Sequence, residues 1–463
     1  MRQKNRIVVG YNPLRCEYMS EMKAIDEKTL TDMREAYLQD EKARVVRYAL
    51  RRNDIAGISS VSEARQENPD FFSIDLETMK VTNQEKSGRC WIFSSMNVLR
   101  EMIGKKYSIS QFELSQNYIA FYDKLEKANW FMNCIIKELD HEMTDRTFHW
   151  LLENAVGDGG QWDMAVSIVK KYGICPKTAM PETYQSSHTQ AMNKLLNRRL
   201  RRFAVTVKHM HDDGDVNEID AYRRKTLKEC WTLIADCFGL PPVQFDFEYY
   251  DDKKKYHCGR NVTPKEFYKD YLKEDLDDYA VIINAPTADK PYHKMYSVKY
   301  IGNVVDGQQI RYLNLPMEEF EKAVIAQLKD GYPVWFGCDC GKDLDRTDGL
   351  WDDKAFDYET TFDMDLSMTK AEMLDGRESA MNHAMVITGV NLVKGKPTRW
   401  KIENSWGDKT AHEGYYTASE SWFEMYVYEA AVNRKYLNEE QKKMLKQDVK
   451  VLKPWDPFGT LAD

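Results

Sequence analysis

Nowhere in the 463 residues do about 18 apolar side chains run together, so the sequence offers no membrane-spanning helix. The first thirty residues also lack the apolar core of a secretory signal peptide. Long basic blocks are missing: 66 Lys and Arg against 74 Asp and Glu leave a dispersed net charge of −8, and nothing in that balance asks for nucleic acid. Cysteine comes in an odd number, nine, at irregular spacing, which is not a disulfide framework. Internal repeats and low-complexity tracts are absent. The expectation is a soluble, cytoplasmic protein with reduced, mostly buried thiols, no membrane partner and no nucleic-acid partner. At roughly 100–200 residues per domain, the length allows two to four domains or one elaborated enzyme.

What is present falls into five stretches. Residues 1–75 mix charge with helical periodicity, as in "EKTLTDMREAYLQDEKARVVRYALRR", and read as an N-terminal helical segment. Residues 76–190 form a helical half: "CWIFSSMNVLREMI", "FELSQNYIAFYDKLEKANWF" and "QWDMAVSIVKKYG" all carry the 3.6-residue period. Residues 191–275 read as a helical insertion of long charged helices joined by the polar loop "HMHDDGDVNE". From 276 to 440 the runs "YAVIINAP", "YSVKYIG", "PVWFGCD", "HAMVITGV", "RWKIENSW" and "EGYYTAS" read as strands, interrupted by an acidic segment near 342–379. Residues 441–463 form a polar tail ending "PWDPFGTLAD".

The stretch "NQEKSGRCWIFSS" places Cys90 where an extended chain breaks at Gly88 and becomes a helix. A thiol in the first turn of a helix meets unpaired backbone N–H groups and the positive end of the dipole, which favour the thiolate. A nucleophilic thiolate needs a base, and the base needs an orienting partner. His383 opens the strand "HAMVITGV" and Asn404 closes "RWKIEN" 21 residues later, so two neighbouring strands bring them together. Gln84, six residues before Cys90, supplies a side-chain amide that donates to an oxyanion alongside the Cys90 N–H. Trp406 shields the His383–Asn404 bond from water. A lone Cys-Trp is more often a packed core thiol, but four pieces in this order point to a cysteine nucleophile.

These residues resemble the papain-like cysteine peptidases, whose nucleophile is followed in the chain by His and then Asn. Here the motif is Ser87-Gly88-Arg89-Cys90-Trp91, and Ser87 stands where secreted members have a disulfide cysteine, in keeping with a reducing compartment. Secreted members have about 130–150 residues between Cys and His. The 293 here imply insertions. The blocks "VTNQEKSGRCWIF", "ELSQNYIAFYDKLEKANWF", "DGGQWDMAVSIVKKYGICPKTAMPET", "MNHAMVITGV" and "KIENSWG" are similar to the bleomycin hydrolase and aminopeptidase C branch of that family. The resemblance implies an α+β, papain-like fold with large helical insertions and a cytoplasmic thiol aminopeptidase acting on peptides, with bleomycin-like amides left open.

The resemblance further implies a homohexamer whose active sites face an inner cavity, with the C-terminal tail in each cleft. Gly159 and Gly160 would let the substrate backbone approach in extended form, and Asn382 would line the site. The terminal carboxylate of Asp463 would anchor the substrate's ammonium, unless that residue is trimmed. The chemistry requires no metal or cofactor. Other features carry less: His209, His211, Asp212 and Asp213 read as a solvated loop, Cys338 and Cys340 as a buried strand end, and Arg198, Arg199, Arg201 and Arg202 as a helix surface. An endopeptidase or amidase on the same scaffold is the alternative, and a binding protein without catalysis is a more distant one.

Overall fold

The computed structural model of the protein describes residues 23–462. They form two compact units, one of residues 23–60 with 357–366, the other of 61–356 with 367–462. In the smaller unit, helices α1 (Glu27–Gln39), α2 (Glu41–Ala49) and α3 (Ile55–Ser59) are joined by the short helix Tyr358–Phe362. Asp26, Asp40 and Asp54 cap them in turn, each accepting a backbone N–H of the first turn.

The larger unit opens with α4 (Ser62–Glu67) and the short strand β1 (Ile74–Asp75). Helix α5 (Cys90–Tyr107) follows, then α6 (Gln116–Lys137), α7 (Arg146–Glu153), α8 (Trp162–Tyr172), α9 (Tyr184–Ser187), α10 (Gln190–Asp213) and α11 (Ile219–Phe238). In α10 the apolar positions Leu196, Leu200, Phe203 and Val207 are spaced by three and four, and that stripe buries against Phe131, Ile135 and Cys230. The segment "HMHDD", expected as a loop, is the last turn of α10. Lys208 pairs with Asp212 one turn on, and the helix ends only at Gly214, whose φ of 88° is the left-handed conformation glycine tolerates.

The 191–275 stretch is not helical throughout. It contains a hairpin of β2 (Phe245–Tyr250) and β3 (Tyr256–Val262), whose Phe247 is buried among aromatic rings. The remaining strands are β4 (Tyr279–Ile283), β5 (Met295–Val298), β6 (Tyr312–Asn314), β7 (Val334–Cys338), β8 (Leu344–Asp345), β9 (Leu350–Trp351), β10 (His383–Val393), β11 (Lys396–Glu403), β12 (Tyr415–Ser419), β13 (Val427–Asn433) and β14 (Val449–Leu452). They form one mixed sheet in the order β14-β5-β6-β4-β13-β7-β10-β11-β12-β9-β8, with β1 paired to the far end of β10.

Both faces of the central strands are covered. On β10, Ala384 and Val386 face α5, whose Trp91, Ile92 and Met96 lie in the same core, while Met385 and Ile387 join Phe320, Val324 and Leu328 of the helix Met317–Lys329 on the other side. Each fully buried Leu, Ile, Phe or Met in these two layers contributes about 1.5–3 kcal/mol, which fixes α5 against the sheet. The α+β plan follows: a helical half carrying Cys90 packed on a sheet half carrying His383 and Asn404. The 441–463 tail, expected as polar and reaching the cleft, contains the end of the helix Glu439–Met444 and β14, which pairs in parallel with β5.

Candidate active site

Cys90 is the first residue of α5, and the helix has no side-chain cap at its N-terminus. The Ile92 and Phe93 N–H groups close on Arg89 O at 2.9 and 3.0 Å, so a backbone carbonyl rather than an Asp or Ser side chain opens the helix, with the positive end of its dipole at Cys90. The thiol is fully buried, and the backbone N–H of Ala384, the residue after His383, points at its sulfur from 3.4 Å.

His383 starts β10 and Asn404 directly follows β11, two antiparallel neighbours with Val386 opposite Glu403. His383 Nε2 lies 3.0 Å from Asn404 Oδ1. The same oxygen accepts the Ser405 backbone N–H at 2.7 Å, which identifies it as the acceptor. Nε2 is then the protonated ring nitrogen, and Nδ1 is left as the basic one. Burial pushes the imidazole down to about 4, with the Asn404 bond pulling the other way. Trp406 tilts over the imidazole with ring centroids 5.2 Å apart, and Arg346 lies over the Trp406 ring.

Gln84 is buried and held at both ends of its amide. Its Oε1 accepts Ser405 Oγ–H at 2.6 Å, its backbone N–H donates to Ser405 O, and its Nε2 donates to Ser87 O at 2.6 Å. One N–H of the side-chain amide is thus spent on the Ser87 carbonyl, and the NH₂ group has a second. Ser87 Oγ bonds Gln84 O and accepts from Arg89 Nε, and Arg89 pairs with Glu182 at 2.9 Å.

Gly159 and Gly160 lie between the Trp91 ring and the C-terminal tail. A methyl group on Gly160 would meet the Trp91 ring at 2.4 Å, and one on Gly159 would meet Ala462 O at 2.8 Å. Only glycine fits either position. Ala462 pairs antiparallel with Gly160 through two backbone hydrogen bonds of 3.1 and 3.3 Å, and Gln161 Nε2 holds Thr460 O at 3.0 Å. The tail thus runs as a short strand along the glycine pair. Asp463 lies outside the described residues. Asn382 borders a cavity of about 620 Å³ shared with Gly159, Met381 and Leu461, but its amide is used within the fold, on Asp339 and the Cys340 N–H.

Some residues at the site were not singled out by sequence reasoning. Asp158 accepts the Gly88 N–H at 3.0 Å, Asn193 Nδ2, Thr189 Oγ1–H and Lys124 Nζ, while its backbone carbonyl takes the Trp91 indole N–H. Burial raises this carboxyl, but Lys124 and the donors outweigh it and hold it well below the usual carboxylate range. Arg100 of α5 pairs inside the core with Glu403, the residue before Asn404, at 3.2 Å. The block "DGGQW" was a signal for Asp158. Nothing local marked Lys124, Lys127 or Arg100.

The minor candidates sit elsewhere. His211 pairs with Asp140 and Asp212, while His209 and Asp213 are exposed at the end of α10. Cys338 ends β7 fully buried, and burial pushes Cys340 up to about 12, so both thiols stay protonated. Arg199 and Arg201 are engaged with Glu229 and with the Leu152 carbonyl, while Arg198 and Arg202 lie exposed on α10.

Comparison with known proteins gives the family. Residues 24–459 match the Peptidase C1-like family. The chain is 45% identical over 413 residues to aminopeptidase C of Lactobacillus delbrueckii subsp. lactis, covering 88% of this chain and 92% of that one. It is 45% identical over 395 residues to aminopeptidase C of Listeria innocua, covering 84% and 88%. The crystal structure of PepW from Lactobacillus rhamnosis HN001 superposes with a TM-score of 0.93 at 44% identity, over 95% of this chain and 99% of that one. The chain belongs to the Peptidase C1-like family, as a papain-like, cysteine-type aminopeptidase of the aminopeptidase C branch.

Proposed function

We propose that this aminopeptidase removes N-terminal residues from peptides through an acyl-enzyme on Cys90, with His383 as its base and acid, Asn404 as the orienting amide and Gln84 as an oxyanion donor. The observation that carries the reading is the register of Ala462 on Gly160, beside the Cys90 helix. The Cys90 proton passes to His383 Nδ1, and the thiolate attacks the scissile carbonyl. The oxyanion is held by the Cys90 N–H and the second Gln84 N–H. His383 returns the proton to the leaving amine, and water, deprotonated by the same imidazole, cleaves the thioester. Burial disfavours charge on His383, which supports this order: the imidazolium is stabilised by the thiolate that forms as the proton moves.

In this reading the tail occupies the part of the cleft where further peptide would pair with Gly160, so only a short N-terminal piece of substrate fits. A carboxylate at the tail's end, from Asp463 or from Ala462 after trimming, is the proposed anchor for the free ammonium. Cys90→Ala is expected to abolish turnover while leaving the melting temperature near that of the parent, and wild-type turnover in that variant would end the assignment. Deleting residues 460–463 should let N-blocked peptides be cut internally. A truncated enzyme that still refuses them removes the tail from the gate. Bleomycin-like amides are the further substrates to run in the same assay.

The proposed assembly is a homohexamer. It is supported by α1 in the smaller unit, which leaves Leu30, Met33 and Tyr37 exposed at helical spacing. Light scattering giving a monomer of 54.3 kDa would count against it. A cytoplasmic location is proposed on the thiols: no disulfide joins any of the eight described cysteines. No helix among the described residues is long and apolar enough to cross a membrane.

A further inference from the structure

Lys127 sits on the inner face of α6, and its side chain is 6% exposed. Its ammonium is aimed rather than merely buried. Nζ pairs with Asp123 Oδ2 at 2.7 Å, donates to Gly159 O at 2.6 Å, approaches Gly157 O at 3.4 Å and lies over the Trp91 ring at 5.1 Å. Burial pushes this ammonium's pKa down, and Asp123 opposes the shift. A cation so placed costs desolvation energy that surface lysines do not pay, so a specific task is required to account for it.

The task is readable from the peptide unit that joins Gly159 to Gly160. In a planar trans peptide the C=O and the N–H point in opposite directions. Here the C=O receives the Lys127 ammonium, and the N–H donates to Ala462 O at 3.1 Å. Three groups therefore line up: ammonium, peptide, cleft carbonyl. A charge-assisted bond on the oxygen draws electron density from the nitrogen and makes its N–H a stronger donor, and it also prevents the plane from rotating. Neither glycine has a side chain to hold that plane, so the restraint must come from outside the loop.

We infer that Lys127 is a positioning residue which, through the Gly159–Gly160 peptide, orients and strengthens the Gly160 N–H as a backbone donor to the extended chain laid along it. This rests on the proposed reading that the cleft runs along Gly160. Lys124, one turn away, serves a different end, since it holds Gly157 O and Asp158 rather than the glycine pair.

The experiment uses Lys127→Met with Asp123→Asn in the same full-length chain, so that no carboxylate is left buried and unpaired. Because Ala462 O occupies the Gly160 N–H, weakening that donor loosens the tail that anchors the substrate, which should raise KM for an aminoacyl amide by about tenfold or more and leave kcat within about threefold. In the same variant, hydrogen exchange of the peptide spanning Gly160 should quicken by about tenfold. Lys127→Arg, which keeps a buried donor and charge, should recover most of both. If the double variant does not fold, Lys127→Gln is read in the same two ways. Unchanged KM and unchanged exchange in a folded variant would overturn the inference, and so would a fall in kcat with KM and exchange intact. Exchange is also measured in the Cys90→Ala background, where no catalysis is needed, so a failure of the proposed reaction is distinguishable from a failure of this role.

Discussion

His383 Nε2 and Asn404 Oδ1 stand 3.0 Å apart, and the Ser405 N–H closes on the same oxygen from 2.7 Å. That second bond prevents the amide from flipping, because a reversed Asn404 would set its NH₂ against the Ser405 N–H. The cost is visible on the other side: Asn404 Nδ2 is buried without a hydrogen-bond partner, a loss of about 1–3 kcal/mol. The fold bears it to keep one tautomer of His383.

Acid should therefore destabilise this protein through His383. The folded imidazole is pushed down to about 4, whereas an unfolded histidine titrates near 6.5. Between those values the unfolded chain binds a proton that the native state does not, so stability falls as pH drops through that window. From pH 7 to pH 5 the loss is about 2 kcal/mol. Urea unfolding of the wild type and of His383→Gln at both pH values isolates it, and equal losses in the two proteins would refute it.

Gln84→Ala should lower kcat by about 10²–10³ at nearly unchanged KM, because one oxyanion donor remains in the Cys90 N–H. It also removes the bonds to Ser87 and Ser405, so a melting-temperature measurement accompanies the kinetics. An unchanged kcat takes Gln84 out of the site.

Arg100→Met should cost about 3–5 kcal/mol, since it strands Glu403 fully buried beside Asn404. Burial raises the Glu403 carboxyl and Arg100 lowers it, so part of the loss is expected to return at acid pH where the stranded group is protonated. Chemical denaturation at pH 7.5 and 5.5 reads both effects.

Gly159→Ala and Gly160→Ala should fail differently. The first would push only on the tail at Ala462 O and Leu461 Cβ, so internal cleavage of N-blocked peptides should appear with the melting temperature preserved. The second would collide with the Trp91 ring next to Cys90, costing about 1–3 kcal/mol and most of the turnover. Identical phenotypes would show that the two contacts are not separate.

The candidate nucleophile was legible in the sequence because the signals for it are local. Gly88 breaks the extended run, Cys90 starts a helix, and His383 and Asn404 sit at strand ends marked by period-two patterns, all legible within a dozen residues. Six strands of the sheet were legible for the same reason. β13 was not: Glu429 stands in the middle of "VYEAAVN", and burial pushes that carboxyl far up, so a residue that looks charged is packed there as a neutral one. The hairpin β2–β3 was hidden by the charged turn "DDKKK", although "FDFEYY" alternates.

Which charges lose their water was decided by tertiary structure alone. Lys124, Lys127 and Arg100 occupy ordinary helical positions, and in the sequence they are indistinguishable from lysines and arginines that face solvent. Their partners Asp158, Gly159 and Glu403 arrive from 32 to more than 300 residues away. Desolvation depends on everything packed around a group, whereas periodicity reports only its own element. The position of Cys90 at the start of a helix was therefore determined by a local motif. The shape of the cleft, with Ala462 laid along Gly160, was determined only when the C-terminal tail met the loop before α8.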